Sequence, residues 1–137
     1  MAFSEITDRE LDLGRHLAAV RDPAFGAVVT FIGQIRDHDP EAPGEVERLE
    51  YSSHPEAGSI LARIVDDLER EDVRIAASHR IGAVGVGEPA LVACVASAHR
   101  SLAFEVSREL IERIKAELPI WKRQVVSDGR HNWQGLK

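Results

Sequence analysis

Apolar β-branched runs and apolar helical stripes are interleaved along this chain without strict strand–helix–strand alternation, and that mixture most narrows what it can fold into. Residues 26–33 (GAVVTFIG) form a β-branched run bounded by glycines, which reads as a largely buried strand. Residues 90–98 give a smooth apolar strand around Cys94, residues 73–78 a short one, and residues 46–51 a weakly alternating, half-exposed one. Three stretches carry the helical period instead. Residues 11–21 place Leu11, Leu13, Leu17, Ala18 and Val20 at helical spacing and stop before Asp22-Pro23. Pro55 opens a second helix, with Ser53 or His54 as cap, and Ile60, Leu61, Ile64, Val65 and Leu68 make one continuous stripe. The longest helix starts at Ser101, turns Leu102, Val106, Leu110, Ile111, Ile114 and Leu118 to the core, and is stopped by Pro119. The fold class is α+β.

A chain of 137 residues is long enough for one domain, residues 1–137, with a core that needs neither disulfide nor metal. With 17 Lys+Arg against 23 Asp+Glu the net charge is −6, which argues against a broad nucleic-acid-binding face. No stretch approaches the ~18 apolar residues of a membrane span, and the first ten residues show no cationic start before an apolar run. The single cysteine, Cys94, excludes an internal disulfide and a Cys-pair zinc site. A cytoplasmic protein without membrane contact is expected. Residues 37–45 (DHDPEAPGE) read as a loop. The tail from residue 120 combines a strand-like 124–126 with a turn at Ser127-Asp128-Gly129.

Gly82, Gly85 and Gly87 do not follow the dinucleotide pattern, and a strand rather than a helix comes after them, so they read as a turn between strands. The six histidines contain no His-x-x-x-His pair, and no metal or other cofactor is expected. His99-Arg100 stands where an apolar strand gives way to the long helix. There, backbone N–H groups and the helix dipole favour an anion; the same position also suits a solvated strand end. Lys115 lies one turn beyond Ile111 on the border of the apolar stripe, and Lys122 follows the Pro119-Ile120-Trp121 break on the returning chain. Two ammonium groups brought together lower each other's pKa and can serve as acid/base or oxyanion-stabilising groups. A border lysine can equally snorkel, or pair with Glu112.

Taken together, these motifs have a counterpart. Residues 26–38 (GAVVTFIGQIRDH), Leu49-Glu50-Tyr51 with His54-Pro55, and His79-Arg80-Ile81-Gly82 appear in that order. They are followed by Ser97-Ala98-His99-Arg100, Ala103-Phe104, Lys115 with residues 119–123 (PIWKR), Asp128-Gly129 and Trp133. So ordered, the chain resembles the large, catalytic subunits of molybdopterin synthases over about residues 5–134. The resemblance implies an α/β hammerhead-like fold with additional antiparallel strands. It also implies a sulfurtransferase that builds the molybdopterin dithiolene from cyclic pyranopterin monophosphate. The sulfur comes from the C-terminal thiocarboxylate of a small ubiquitin-like subunit, within a heterotetramer built on a homodimer of large subunits. Carried onto this sequence, Lys115 and Lys122 match the catalytic lysines. Arg36, His99 and Arg100 match the anion-binding part of the pocket, and Phe31 matches an aromatic of its wall. Asp37-His38-Asp39 departs from the asparagine common in relatives, which puts substrate access and subunit docking at that loop in question. Two other readings remain: a non-catalytic paralogue that holds a ubiquitin-like tail or an anionic metabolite, and a dimeric regulator with an anion pocket at His99-Arg100.

Overall fold

In the computed structural model, which describes residues 3–38, 45–126 and the backbone of 131–135, β1 (Phe3–Thr7) leads into α1 (Leu13–Val20) and β2 (Ala27–Gln34). Next come β3 (Val46–Ser53), α2 (Ala57–Leu68), β4 (Val73–Arg80), β5 (Gly82–Gly85) and β6 (Pro89–Ser97). The chain continues through α3 (Arg100–Glu117), β7 (Ile120–Val126) and β8 (His131–Gly135). The strands form two four-stranded sheets, ordered β1-β4-β6-β2 and β5-β3-β7-β8. Only the β1–β4 pair is parallel; the rest are antiparallel, so the α+β expectation holds.

The first sheet is covered on both faces, which explains why β6 is apolar throughout. Alternate residues Ile75, Ala77, Ala93 and Val95 pack under α2 and α3, against Leu61, Ile64, Leu110 and Ile114, all with essentially no solvent exposure. The opposite face offers only small side chains, Ala76, Cys94 and Ala96, and Val20 of α1 settles on them. Asp12 caps α1 by accepting a hydrogen bond from the Arg15 N–H at 3.3 Å, and His16 ties the helix down through Nε2 to Ser78 Oγ at 2.7 Å. Cys94 is buried beside Thr30 Oγ1, and burial raises its thiol pKa: it is a packing residue. The second sheet has its own small core of Ile35, Val46, Leu49, Val84, Ala90 and Val126.

Several expectations shift. The strand expected to be largely buried, at 26–33, is β2, an edge strand bonded to β6 alone, with Val28, Thr30, Ile32 and Gln34 exposed. Its β-branched composition reports a pleated, half-covered surface and does not distinguish edge from centre. The second helix begins at Ala57 rather than at Pro55. His54 does contribute there, its Nδ1 accepting the Glu56 N–H at 3.1 Å in the turn before the helix. Strand β7 starts at Ile120, straight after Pro119, and runs well ahead of the expected 124–126. The turn at 127–129 lies outside the described residues. Among those residues, no helix is long and apolar enough to cross a membrane.

The glycine run does turn the chain. Gly82 (φ 85°) starts the strand that leaves the first sheet for the second, and Gly87 (φ 83°) lies in the turn between β5 and β6. That turn is closed by the Glu88 N–H to the Gly85 carbonyl at 3.0 Å. A Cβ at Gly87 meets nothing within 4 Å, so only backbone strain opposes a side chain there. Gly87→Ala should therefore destabilise the protein by about 1–2 kcal/mol, read as a lower urea midpoint with unchanged slope. An unchanged midpoint would mean the turn relaxes.

Candidate active site

The two sheets meet along a seam, and a cavity of about 180 Å³ opens there. The first sheet supplies Gly33 at the end of β2, His79 on β4 and Leu91 on β6; the second supplies Leu49 and Tyr51 on β3, and Lys122 and Gln124 on β7. Lys115 enters from the last turn of α3, which lies over the first sheet. The α3–β7 connection brings the two lysines together. Pro119 ends the helix, its carbonyl accepts the His54 N–H at 3.0 Å, and the chain starts at once on β7, where Lys122 pairs in register with Tyr51. Both therefore project from the same face of the second sheet, Tyr51 beside Lys122.

The electrostatics follow from this placement. Lys115 is half-buried, and burial first, then the neighbouring Lys122 ammonium, lower its pKa from the ordinary lysine value. Among the described residues neither lysine forms an ion pair, so the pairing with Glu112 does not occur. The Tyr51 phenol is pushed up to about 12 by burial and stays protonated, a hydrogen-bond donor. His79 is buried and held down at about 4, by burial first and by the Lys115 charge, against a backbone hydrogen bond that favours its proton. Its ring stands edge-on to Tyr51, centroids 5.1 Å apart. Arg36 and His38 line the open side, His38 bonded through Nδ1 to Asp37 at 2.8 Å.

Of the residues the sequence nominated, Lys115, Lys122 and Arg36 converge on this cavity. Phe31 lies one pleat along β2 from Gly33, in an adjoining apolar groove with Phe104 and Ile111. Phe104 is 61% exposed. His99 and Arg100 are exposed at the N-terminus of α3, where no side chain caps the helix. They stand at the opposite end of this 18-residue helix from Lys115, roughly 20 Å away at 1.5 Å per residue. Within one chain they do not share the lysine cavity.

The sequence reading gave no role to Tyr51, His79 or Gln124, which build the wall. It also passed over a compositional signal. Of 17 basic residues only three are lysines, at 115, 122 and 137, and two of these line one cavity. Unlike an arginine guanidinium, a lysine amine shifts its pKa readily when buried and can lose its proton.

A helix-covered mixed sheet joined to a second antiparallel sheet, with paired lysines at the seam, defines a small acid/base or group-transfer enzyme subunit. The family model described as MoaE protein matches residues 6–117, and the chain belongs to that family. It is 38% identical to "Molybdopterin synthase catalytic subunit 1" of Mycobacterium tuberculosis, over 97% of this chain and 90% of that protein. It is 36% identical to the "Molybdopterin synthase catalytic subunit" of Thermoplasma volcanium, over 96% of each. Its fold superposes on the crystal structure of molybdopterin synthase from Staphylococcus aureus with a TM-score of 0.87 at 32% identity, covering 96% of both chains.

Proposed function

We propose that this chain is the catalytic subunit of a molybdopterin synthase, a cytoplasmic sulfurtransferase that makes the molybdopterin dithiolene from cyclic pyranopterin monophosphate. The observation that carries this reading is the convergence of Lys115 and Lys122 on one cavity, in a chain with a single further lysine. The sulfur donor is the C-terminal thiocarboxylate of a small ubiquitin-like partner, so the chain itself needs no nucleophile; its one thiol, on Cys94, is buried in the first sheet. At each of the two side-chain carbons in turn, a thiocarboxylate sulfur bonds to the carbon as a C–O bond there breaks and the oxygen leaves with a proton, so that the partner's acyl carbon is attached to the pterin through that sulfur. Water then adds to the acyl carbon, the C–S bond breaks, the sulfur stays on the pterin and the partner departs as a carboxylate. Each acyl step passes through a tetrahedral oxyanion, and an ammonium aimed into a partly dry cavity stabilises it. A lysine with a lowered pKa can also exchange its proton with the leaving sulfur or the attacking water.

The phosphate of the substrate needs a further anion site. Arg36 supplies charge at the cavity mouth, and the uncapped N-terminus of α3 with His99 and Arg100 offers backbone N–H groups and a guanidinium. Since those two residues are a helix length from Lys115 of their own chain, they serve the cavity of the second copy in a homodimer. Two small subunits on that dimer complete the heterotetramer.

Reconstitution with the thiocarboxylated small subunit and cyclic pyranopterin monophosphate tests the reading, with dithiolene formation expected. A stable complex without product would leave only a binding paralogue. Arg100→Ala should weaken pterin binding by about 1.5–3 kcal/mol, the loss of a hydrogen bond to a charged group, and small-subunit binding much less. Titrations that show equal losses for both ligands would remove the phosphate assignment.

A further inference from the structure

Of the four strands that end a sheet among the described residues, β2 is the longest and the least protected. β5 has four residues, and β1 carries Glu5, held by Arg9 and Arg15. β2 runs for eight residues (AVVTFIGQ) without a charge or a proline, and among the described residues only β6 bonds to it. Soluble proteins guard such edges, because an open row of N–H and C=O groups beside apolar side chains pairs with another chain. Val28 and Ile32 are exposed on one face of the strand. On the other face Phe31 joins Phe104 and Ile111 in the groove along α3. Arg108 and Glu112 also line that groove, one helical turn apart and opposite in sign, both exposed and neither in an ion pair among the described residues.

The two ends of β2 touch the two halves of the site. Ala27 pairs with Ser97, just ahead of His99 and Arg100, so the start of the strand lies beside the clamp. Gly33 and Gln34, at the other end, line the lysine cavity. Seven steps of about 3.3 Å separate those ends by roughly 23 Å, which matches the span of α3 from Arg100 to Lys115.

Building on the shared-cavity reading above, we propose that two copies of this chain join edge to edge through β2, antiparallel about a two-fold axis at Thr30. Their four-stranded sheets then become one of eight strands. A two-fold axis normal to the sheet reverses the partner strand, so the start of each β2 meets the end of the other. Each clamp thereby arrives at the partner's lysine cavity. Such an axis sets opposite one another only residues of the same face. Centred on Thr30, it puts Val28 against Ile32 of the partner subunit, Val29 against the partner's Phe31, and the two threonines together. These are the β-branched, aromatic and Thr–Thr pairs that stabilise antiparallel strands. Centred on Phe31, it would set Val28 against Gln34 and Thr30 against Ile32, apolar against polar. The α3 helices then run side by side in opposite directions. They close the groove over Phe31 and Phe104 and bring Arg108 of each copy toward Glu112 of the other. A strand of the small subunit could cover the same edge, but it would leave each clamp a helix length from any cavity.

Paired substitutions at the exposed positions test this joint without touching the core or the cavity. Val28→Lys/Ile32→Lys sets like charges opposite each other across the axis, and Val28→Lys/Ile32→Glu sets opposite ones. In sedimentation equilibrium at micromolar concentration we expect the first to halve the mass of the wild-type dimer and the second to keep it. The register is read by cysteines in a Cys94→Ala background, which leaves no other thiol. Val28→Cys or Ile32→Cys alone should give no cross-link on mild oxidation, because each lies about 13 Å from its own copy, four residues along the strand. Mixed, the two should form a disulfide-linked dimer, since directly opposed residues lie about 4.5–5.5 Å apart. Cysteine is mild at an exposed position, so the cross-link decides the matter if a lysine variant fails to fold. A dimer that survives Val28→Lys/Ile32→Lys, or a mixture that does not cross-link, overturns the inference. So does a Val28→Lys/Ile32→Lys protein that stays dimeric and loses the small subunit, which would seat that subunit on the edge. A protein that joins through β2 and makes no dithiolene upholds the inference and removes the enzyme reading; dithiolene formation by a protein that does not cross-link does the reverse.

Discussion

Lys115→Ala should cut dithiolene formation by at least ~10²-fold, the lower end for a positioned acid/base group, while the protein still folds and still binds its small subunit. The structure gives the reason on both sides. Lys115 stands at the edge of the α3 stripe whose buried members are Val106, Leu110 and Ile114, and its ammonium makes no ion pair among the described residues. Removing it costs the core little. Inside the cavity it is the amine that burial and Lys122 have brought closest to giving up a proton. Lys115→Arg should not restore turnover, because a guanidinium keeps the charge, needs a planar fork of partners and does not deprotonate. Near-normal turnover in Lys115→Arg would reduce Lys115 to an electrostatic anchor. Lys122→Ala makes a different mark. Removing that neighbouring cation lets the Lys115 pKa rise, so the limb of the pH–rate profile that reports Lys115 moves to higher pH. A limb that stays put in Lys122→Ala would show that the two amines do not interact.

Much of the scaffold could be read from the sequence because its signals were local. The stripe Leu61, Ile64, Val65, Leu68 and the stop at Pro119 act within a few residues, and the helices they predict are present. What sheet order decides was not legible. Residues 3–7 (FSEIT) carry too short a pattern to announce a strand, yet they form β1 by pairing parallel with β4, some seventy residues away. Val28 and Ile32 are exposed because β2 has only one neighbour, a fact of topology absent from its composition. The site divides along the same line. Lys115 and Lys122 sit seven residues apart, and helix period plus a proline break was enough to suggest that they meet. Tyr51 and His79 reach the same cavity from different sheets, and nothing local marks either as a wall residue. His99 and Arg100 present the converse. Their place at a strand-to-helix junction left an anion site and a solvated strand end both open, the family resemblance matched them to the anion-binding part of the pocket, and only the length of α3 shows that they stand apart from their own chain's lysines.

Mixing two crippled proteins should therefore give back activity. If each cavity takes its lysines from one copy and its phosphate clamp from the other, Lys115→Ala and Arg100→Ala damage the same site from opposite partners. A dimer of either variant has two defective cavities. In a mixed dimer both substitutions fall in one cavity, and the other is wild type throughout. Random reassortment of equal amounts makes half the dimers mixed, each with one intact cavity of two, so activity should recover to about a quarter of wild type in a two-fold symmetric assembly. The assay belongs well below saturation in pterin, where the loss of about 1.5–3 kcal/mol of binding expected for Arg100→Ala is fully expressed. The double variant Lys115→Ala/Arg100→Ala mixed with wild type sharpens the reading, because its mixed dimers place one defect in each cavity and gain nothing from the exchange. Recovery to about a quarter of wild type in the first mixture and no gain in the second is the pattern that only a shared cavity produces. If the first mixture stayed at the level of its components after proven subunit exchange, the clamp at the start of α3 would serve some other ligand. Arg36, the exposed cation at the mouth, would then be the arginine left to meet the phosphate.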